Sequence, residues 1–70
     1  MQPNLNSPDR ILRKALEKET QAHEFYAGIA AGCTVEIVRK LAETLEAEEA
    51  RHIRMIRDMM ARFSVGRGPA

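Results

Sequence analysis

The residues most able to do chemistry in this chain are Glu49 and His52, separated by Ala50 and Arg51. Side chains three apart on a helix share one face, so this carboxylate and this imidazole can reach the same metal ion or two adjacent ones. Glu19 is the third candidate. It lies 13 residues before Gly32, and Glu49 lies 15 after Thr34. At about 1.5 Å rise per residue, two helices meeting at that turn carry Glu19 and Glu49 about 20 and 22 Å from it, at one level. Both acids interrupt otherwise apolar stripes. An ion buried in such a stripe loses several kcal/mol of solvation, which a small chain tolerates only with compensation. A shared divalent cation supplies that compensation, because it interacts with carboxylates more strongly than a single side-chain partner does. Glu19, Glu49 and His52 are therefore the expected metal ligands.

Other residues near these positions have weaker claims. Tyr26, two turns from Glu19 on the same stripe, reads as a core aromatic whose hydroxyl finds a partner, with a ligand carboxylate as one candidate. His23 lies one turn from Glu19 and reads as an edge residue within reach of the metal. Glu46, one turn before Glu49, reads as an exposed acid at the seam margin. Together these three are candidates for supporting the ligands or for ion access. Glu48 is expected on the solvated side. Met55, Met59 and Met60 read as flexible core filler, since hard carboxylates dominate the candidate site.

The elements that position the ligands follow from helix signals. Ser7-Pro8-Asp9 is a helix start, with Ser7 as cap, Pro8 in the first helical position and Asp9 at the positive helix end. Helix 1 is expected over about 8–31, broken in propensity only by Gly28. Residues 32–34 form the expected turn, with Gly32 at positive φ and Thr34 capping helix 2, which runs over about 35–63. Residues 1–6 read as a disordered lead-in and 64–70 as a flexible tail. The helix 2 stripe is Val38, Ala42, Leu45, Glu49, His52, Ile56, Met59 and Phe63, and helix 1 matches it with Leu12, Ala15, Leu16, Glu19, Ala22, His23, Tyr26, Ile29 and Ala30. Two such seams joined by a short turn make an all-α antiparallel hairpin.

Composition bounds what the hairpin can be. A 70-residue chain buries only roughly 60% of its unfolded surface and is marginal alone. Its single cysteine, Cys33 in the turn, permits no internal disulfide. Self-association, metal binding or both must then stabilise it. A net charge of +1 leaves no nucleic-acid footprint, and the arginines late in helix 2 suit the helix terminus and solvent. The polar, proline-containing start is unlike a secretory signal, and no apolar run approaches the roughly 20 residues needed to span a bilayer. A cytoplasmic location is expected, with neither nucleic acid nor membrane as partner.

With these residues in place, the sequence resembles the rubrerythrin and ferritin-like di-iron carboxylate family. Glu19-Thr-Gln-Ala-His-Glu-Phe-Tyr26 is similar to that family's first-helix motif, and Leu41-Ala-Glu-Thr-Leu-Glu-Ala-Glu-Glu-Ala-Arg-His52 to its Glu-x-x-His helix. The resemblance covers roughly residues 11–60. It implies Glu19 as first-helix ligand, Glu49 as a bridging or terminal carboxylate and His52 as terminal imidazole. Such sites take a Glu from each of two helices and a Glu-x-x-His from each of two more. One hairpin carries half of that set. The expected partner is therefore a second copy, the two hairpins dimerising into a ferritin-like four-helix bundle with the metal centre across the dimer. One hairpin per chain is nearest in layout to the encapsulated ferritin-like proteins. That resemblance implies an encapsulating shell protein as a further partner and a nanocompartment as location, although Phe63–Ala70 matches their shell-targeting peptide poorly.

Mixed carboxylate and imidazole ligation suits iron, with zinc or manganese as substitutes. The expected function is oxidation of Fe(II) by O₂ or H₂O₂, with iron storage or peroxide defence implied by the resemblance. The alternative is a non-catalytic oligomerisation or partner-binding hairpin whose polar seam residues set register, with or without a structural metal.

Overall fold

The computed structural model describes residues 7–66, and the expected lead-in 1–6 and tail residues 67–70 lie outside that range. Two helices, α1 (Pro8–Gly32) and α2 (Glu36–Gly66), form an antiparallel hairpin, with no strand among the described residues. None of its described helices is long and apolar enough to cross a membrane.

The helix ends depart from expectation in four places. Ser7 is the cap residue of α1, but its side chain makes no capping hydrogen bond; the start rests on Pro8 at the first position and on the Ile11 N–H bonding to the Ser7 carbonyl at 3.1 Å. Gly32 is the last helical residue, not a residue at positive φ. Cys33 ends α1 in extended backbone (φ −83°, ψ 131°) while its N–H still bonds to the Ile29 carbonyl at 2.8 Å. Cys33, Thr34 and Val35 are thus a short extended link between the helices. Val35, not Thr34, directly precedes α2, and its carbonyl accepts from the Arg39 N–H at 2.9 Å. At the far end α2 continues three residues past the expected boundary at 63, through Gly66. Propensity disfavours glycine in a helix by only about 1 kcal/mol, so one more turn of backbone hydrogen bonds outweighs it.

The helices approach through small and half-buried side chains, and this is all the core that one hairpin has. Ala42, 3% exposed, is the one buried residue among those described. A methyl there lets the helix axes approach closely. By contrast, eight large apolar side chains are 39–78% exposed, among them Phe25, Ile37, Leu41, Met55, Met59 and Phe63. On α2 they recur with the spacing of one helix face, beginning Ile37, Leu41 and resuming Met55, Met59. The same face holds an apolar notch of about 120 Å³ lined by Tyr26, Ile29, Val38, Leu41, Ala42 and Leu45. Another groove is of mixed character, with Ala50 and Ile53 beside Thr20, Glu24, Arg54 and Arg57. Surface pairs such as Lys14–Glu17 at 2.7 Å and the Glu36–Arg39–Glu43 ladder on α2 are screened by solvent and contribute little to stability.

Candidate metal centre

Glu19 comes from the middle of α1, Glu49 and His52 from the middle of α2. The hairpin brings all three together. The His52 Nδ1 lies 3.2 Å from Glu49 Oε1 and 3.5 Å from Glu19 Oε1, and one donor atom from each residue lies within 4.8 Å of the other two. The Glu49–His52 contact follows from one turn of helix. The contact to Glu19 needs the hairpin, and exists because the two helices are in step at this level.

None of the three side chains is fully buried by one hairpin. Glu49 is 17% exposed, Glu19 30% and His52 42%. They lie in the interhelical groove, between the notch at the turn side and the exposed methionines on the other. The electrostatics are those of two acids forced together. A hydrogen bond with Glu49, then desolvation and the Glu49 charge, hold the Glu19 carboxyl above the ordinary range, against the opposing pull of His52. Glu49 is held below its ordinary value, first by that hydrogen bond with Glu19 and then by His52 and His23. The two shifts run in opposite directions, as expected of two acids that share one site.

The donor set fits iron. Two carboxylates and one imidazole are ligands for a hard or borderline divalent ion. Donor separations of 3.2 and 3.5 Å are close to the roughly 3 Å edge of an octahedron with bonds of about 2.1 Å, so a shared cation needs only small side-chain shifts. Three donors leave half of such a coordination shell open.

The neighbouring candidates separate in the structure. His23 and Glu46, expected singly as an edge residue and a marginal acid, face each other: His23 Nε2 sits 3.8 Å from Glu46 Oε2, a second cross-helix pair, each about one-third exposed. The signal was present in the spacing. Four residues from Glu19 and three from Glu49, both toward the turn, land on His23 and Glu46 at one level. Tyr26 lines the apolar notch and packs edge-on against Phe25, ring centres 5.3 Å apart, rather than joining the three ligand candidates. Glu48 is exposed, as expected. Cys33 is a free thiol in the link, far from the centre.

The Rubrerythrin family model matches residues 10–69, spanning both helices and all three ligand candidates. No curated protein and no solved structure gives a match. The family match over most of the chain, and a carboxylate–carboxylate–imidazole cluster at the level where two helices meet, agree. This chain belongs to the rubrerythrin family.

Proposed function

We propose that this hairpin is half of a di-iron centre that oxidises Fe(II) with O₂ or H₂O₂, completed by a second copy of the chain. The observation that carries the reading is the convergence of Glu19, Glu49 and His52 within 4.8 Å. One hairpin supplies two carboxylates and one imidazole, too few for two metal ions. A two-fold partner doubles them to four carboxylates and two imidazoles, the complement of a di-iron carboxylate site.

Bound iron would supply the redox chemistry, each Fe(II) giving one electron to the oxidant. The chain's own residues have three tasks. Glu49 and His52, one turn apart on a single helix, hold their donor atoms at a separation fixed by the helix. Glu19, from the other helix, brings the second carboxylate within reach of the same cation. Covering the apolar notch and the methionine-bearing stretch of α2 excludes water around the centre, which strengthens every interaction inside it. Zinc or manganese can occupy the same donors without turnover.

Anaerobic loading with Fe(II) followed by oxygen tests this. The wild-type chain should bind one iron per chain and develop ferric absorbance, and Glu49→Ala and His52→Ala should abolish both. Unchanged oxidation in those variants would remove the proposal.

A further inference from the structure

Two arginines of α2 face a groove that the metal centre does not use. Arg54 and Arg57 are exposed and line it together, one turn apart. Neither makes a hydrogen bond or an ion pair with another described residue. Arg39, by contrast, is engaged by Glu36 and Glu43, and Lys14 by Glu17. Like charges at this spacing on a helix repel, and the repulsion is relieved when an anion lies between them.

The groove holds about 380 Å³, the low end of the range for small-molecule clefts. Both helices build it. From α1 come Thr20, His23 and Glu24; on α2, Ala50 and Ile53 share a face with the two arginines. Counted at about 1.5 Å per residue from Glu49, Arg54 and Arg57 lie about 8 and 12 Å toward the open end of the hairpin. The lining includes none of the three metal-ligand candidates and none of the large exposed apolar side chains. It is a second, chemically different surface.

Its polar groups are mostly donors. Each guanidinium presents a planar fork of N–H groups that matches an oxyanion, and the half-buried Thr20 adds a hydroxyl. The His23 Nε2 is turned to Glu46, so the imidazole borders the groove and is not counted among the donors. Ala50 and Ile53 supply apolar surface beside the arginines, which lowers the local dielectric and strengthens attraction to an anion. Glu24 is the one acid in the lining. It is exposed, unpaired with either arginine, and opposes an incoming anion. Asp58, one turn from Arg54, does not line the groove. We propose that this groove binds a phosphate group, held by Arg54 and Arg57 from α2 and by the Thr20 hydroxyl from α1. A tetrahedral oxyanion offers enough acceptors for two forks and a hydroxyl at once, and its charge offsets both guanidinium charges. The site stands whether or not the chain oxidises iron.

Titration of the metal-free full chain with inorganic phosphate, at an ionic strength held constant with chloride, tests the site through amide chemical shifts. Saturable shifts at millimolar phosphate are expected, concentrated in residues 20–24 and 50–57. Arg54→Gln and Arg57→Gln should each raise the Kd about tenfold, the loss of one charge-assisted contact. Glu24→Gln should lower it about threefold by removing an exposed like charge. Arg51→Gln removes an exposed arginine of the same helix from outside the groove and should leave the Kd unchanged. All four substitutions are at exposed positions, so helicity by circular dichroism should match the wild-type chain. A parallel titration with glycerol phosphate separates the sources: equal binding assigns the groove to a phosphate carried on a larger molecule, and binding of inorganic phosphate alone assigns it to the free ion. Shifts that do not saturate, or that chloride reproduces, would overturn the proposal. So would an Arg51→Gln loss equal to that of Arg57→Gln, which would show attraction to net charge and no built site. Iron oxidation is not part of the readout. Phosphate binding without oxidation would count against the proposed function alone, and oxidation without phosphate binding against this site alone.

Discussion

Truncating Leu41 should convert the centre into one whose activity depends on protein concentration. Leu41 lies on the exposed face at 58% exposure, two turns from Glu49 and clear of the three ligand candidates. Covering that fraction of a leucine contributes about 1–1.5 kcal/mol per copy. A two-fold interface loses the contribution twice, so Leu41→Ala should weaken the dimer by about 2–3 kcal/mol, a roughly 30- to 150-fold rise in Kd. Any unfilled void left in the interface adds to this. The single hairpin should barely notice, because a largely exposed side chain contributes little to it. Sedimentation equilibrium measures the Kd, and iron oxidation per chain measured across a dilution series reads the consequence. Wild-type activity per chain should stay level over concentrations at which Leu41→Ala activity falls, and the variant should recover when concentrated. Two results would refute the reasoning. An unchanged Kd would mean that the exposed face is not the interface. A raised Kd with oxidation per chain independent of concentration would mean that one hairpin suffices for the chemistry.

Three further outcomes follow from the same geometry. Metal at a hundredfold excess over its Kd should stabilise the fold by about 2.7 kcal/mol, or roughly 10–20 °C in Tm for a chain of this size; an unchanged melting curve after chelation would favour a hairpin whose acids only set register. The raised Glu19 and lowered Glu49 act in opposite directions on metal-free stability. Glu19's contribution is full below its unfolded pKa and lost as pH rises through its raised value; Glu49's is present above its unfolded pKa and lost as pH falls through its lowered one. Melting in chelator should therefore peak near the ordinary carboxylate range, and Glu19→Gln should remove the decline on the alkaline side; a decline that persists in that variant would mean that another group causes it. Gly28 lies inside α1, where an added Cβ meets nothing within 4 Å. Gly28→Ala should stabilise by about 1 kcal/mol and raise Tm by roughly 4–8 °C without altering metal binding, and a lower Tm would mean that a partner packs against that position.

Glu19 shows how far linear spacing reaches, and His23 where it stops. The helical character of both segments was legible because Ala, Leu, Glu and Arg dominate them and the apolar positions recur every three or four residues. The Glu49–His52 contact is a property of one turn of helix. That Glu19 meets them follows from two helices of fixed rise diverging from a short link. The same counting places His23 opposite Glu46, yet each taken on its own helix reads as an edge residue and a marginal exposed acid. Whether two residues at one level touch depends on the rotation of each helix about its axis, which spacing leaves free.

The sequence by itself determined two amphipathic helices, their antiparallel pairing and the level at which two acids and an imidazole would sit. Propensity and helix rise are local, and they act along the chain without reference to a partner. Tertiary structure decided the rest. It buried Ala42, ended α1 in extended backbone at Cys33 instead of at a left-handed glycine, and carried α2 through Gly66. It also showed that one hairpin leaves Ile37, Leu41, Met55 and their neighbours uncovered. Those outcomes come from how two cylinders roll against each other, a balance of packing and solvation summed over the whole contact, which no single residue or short motif encodes.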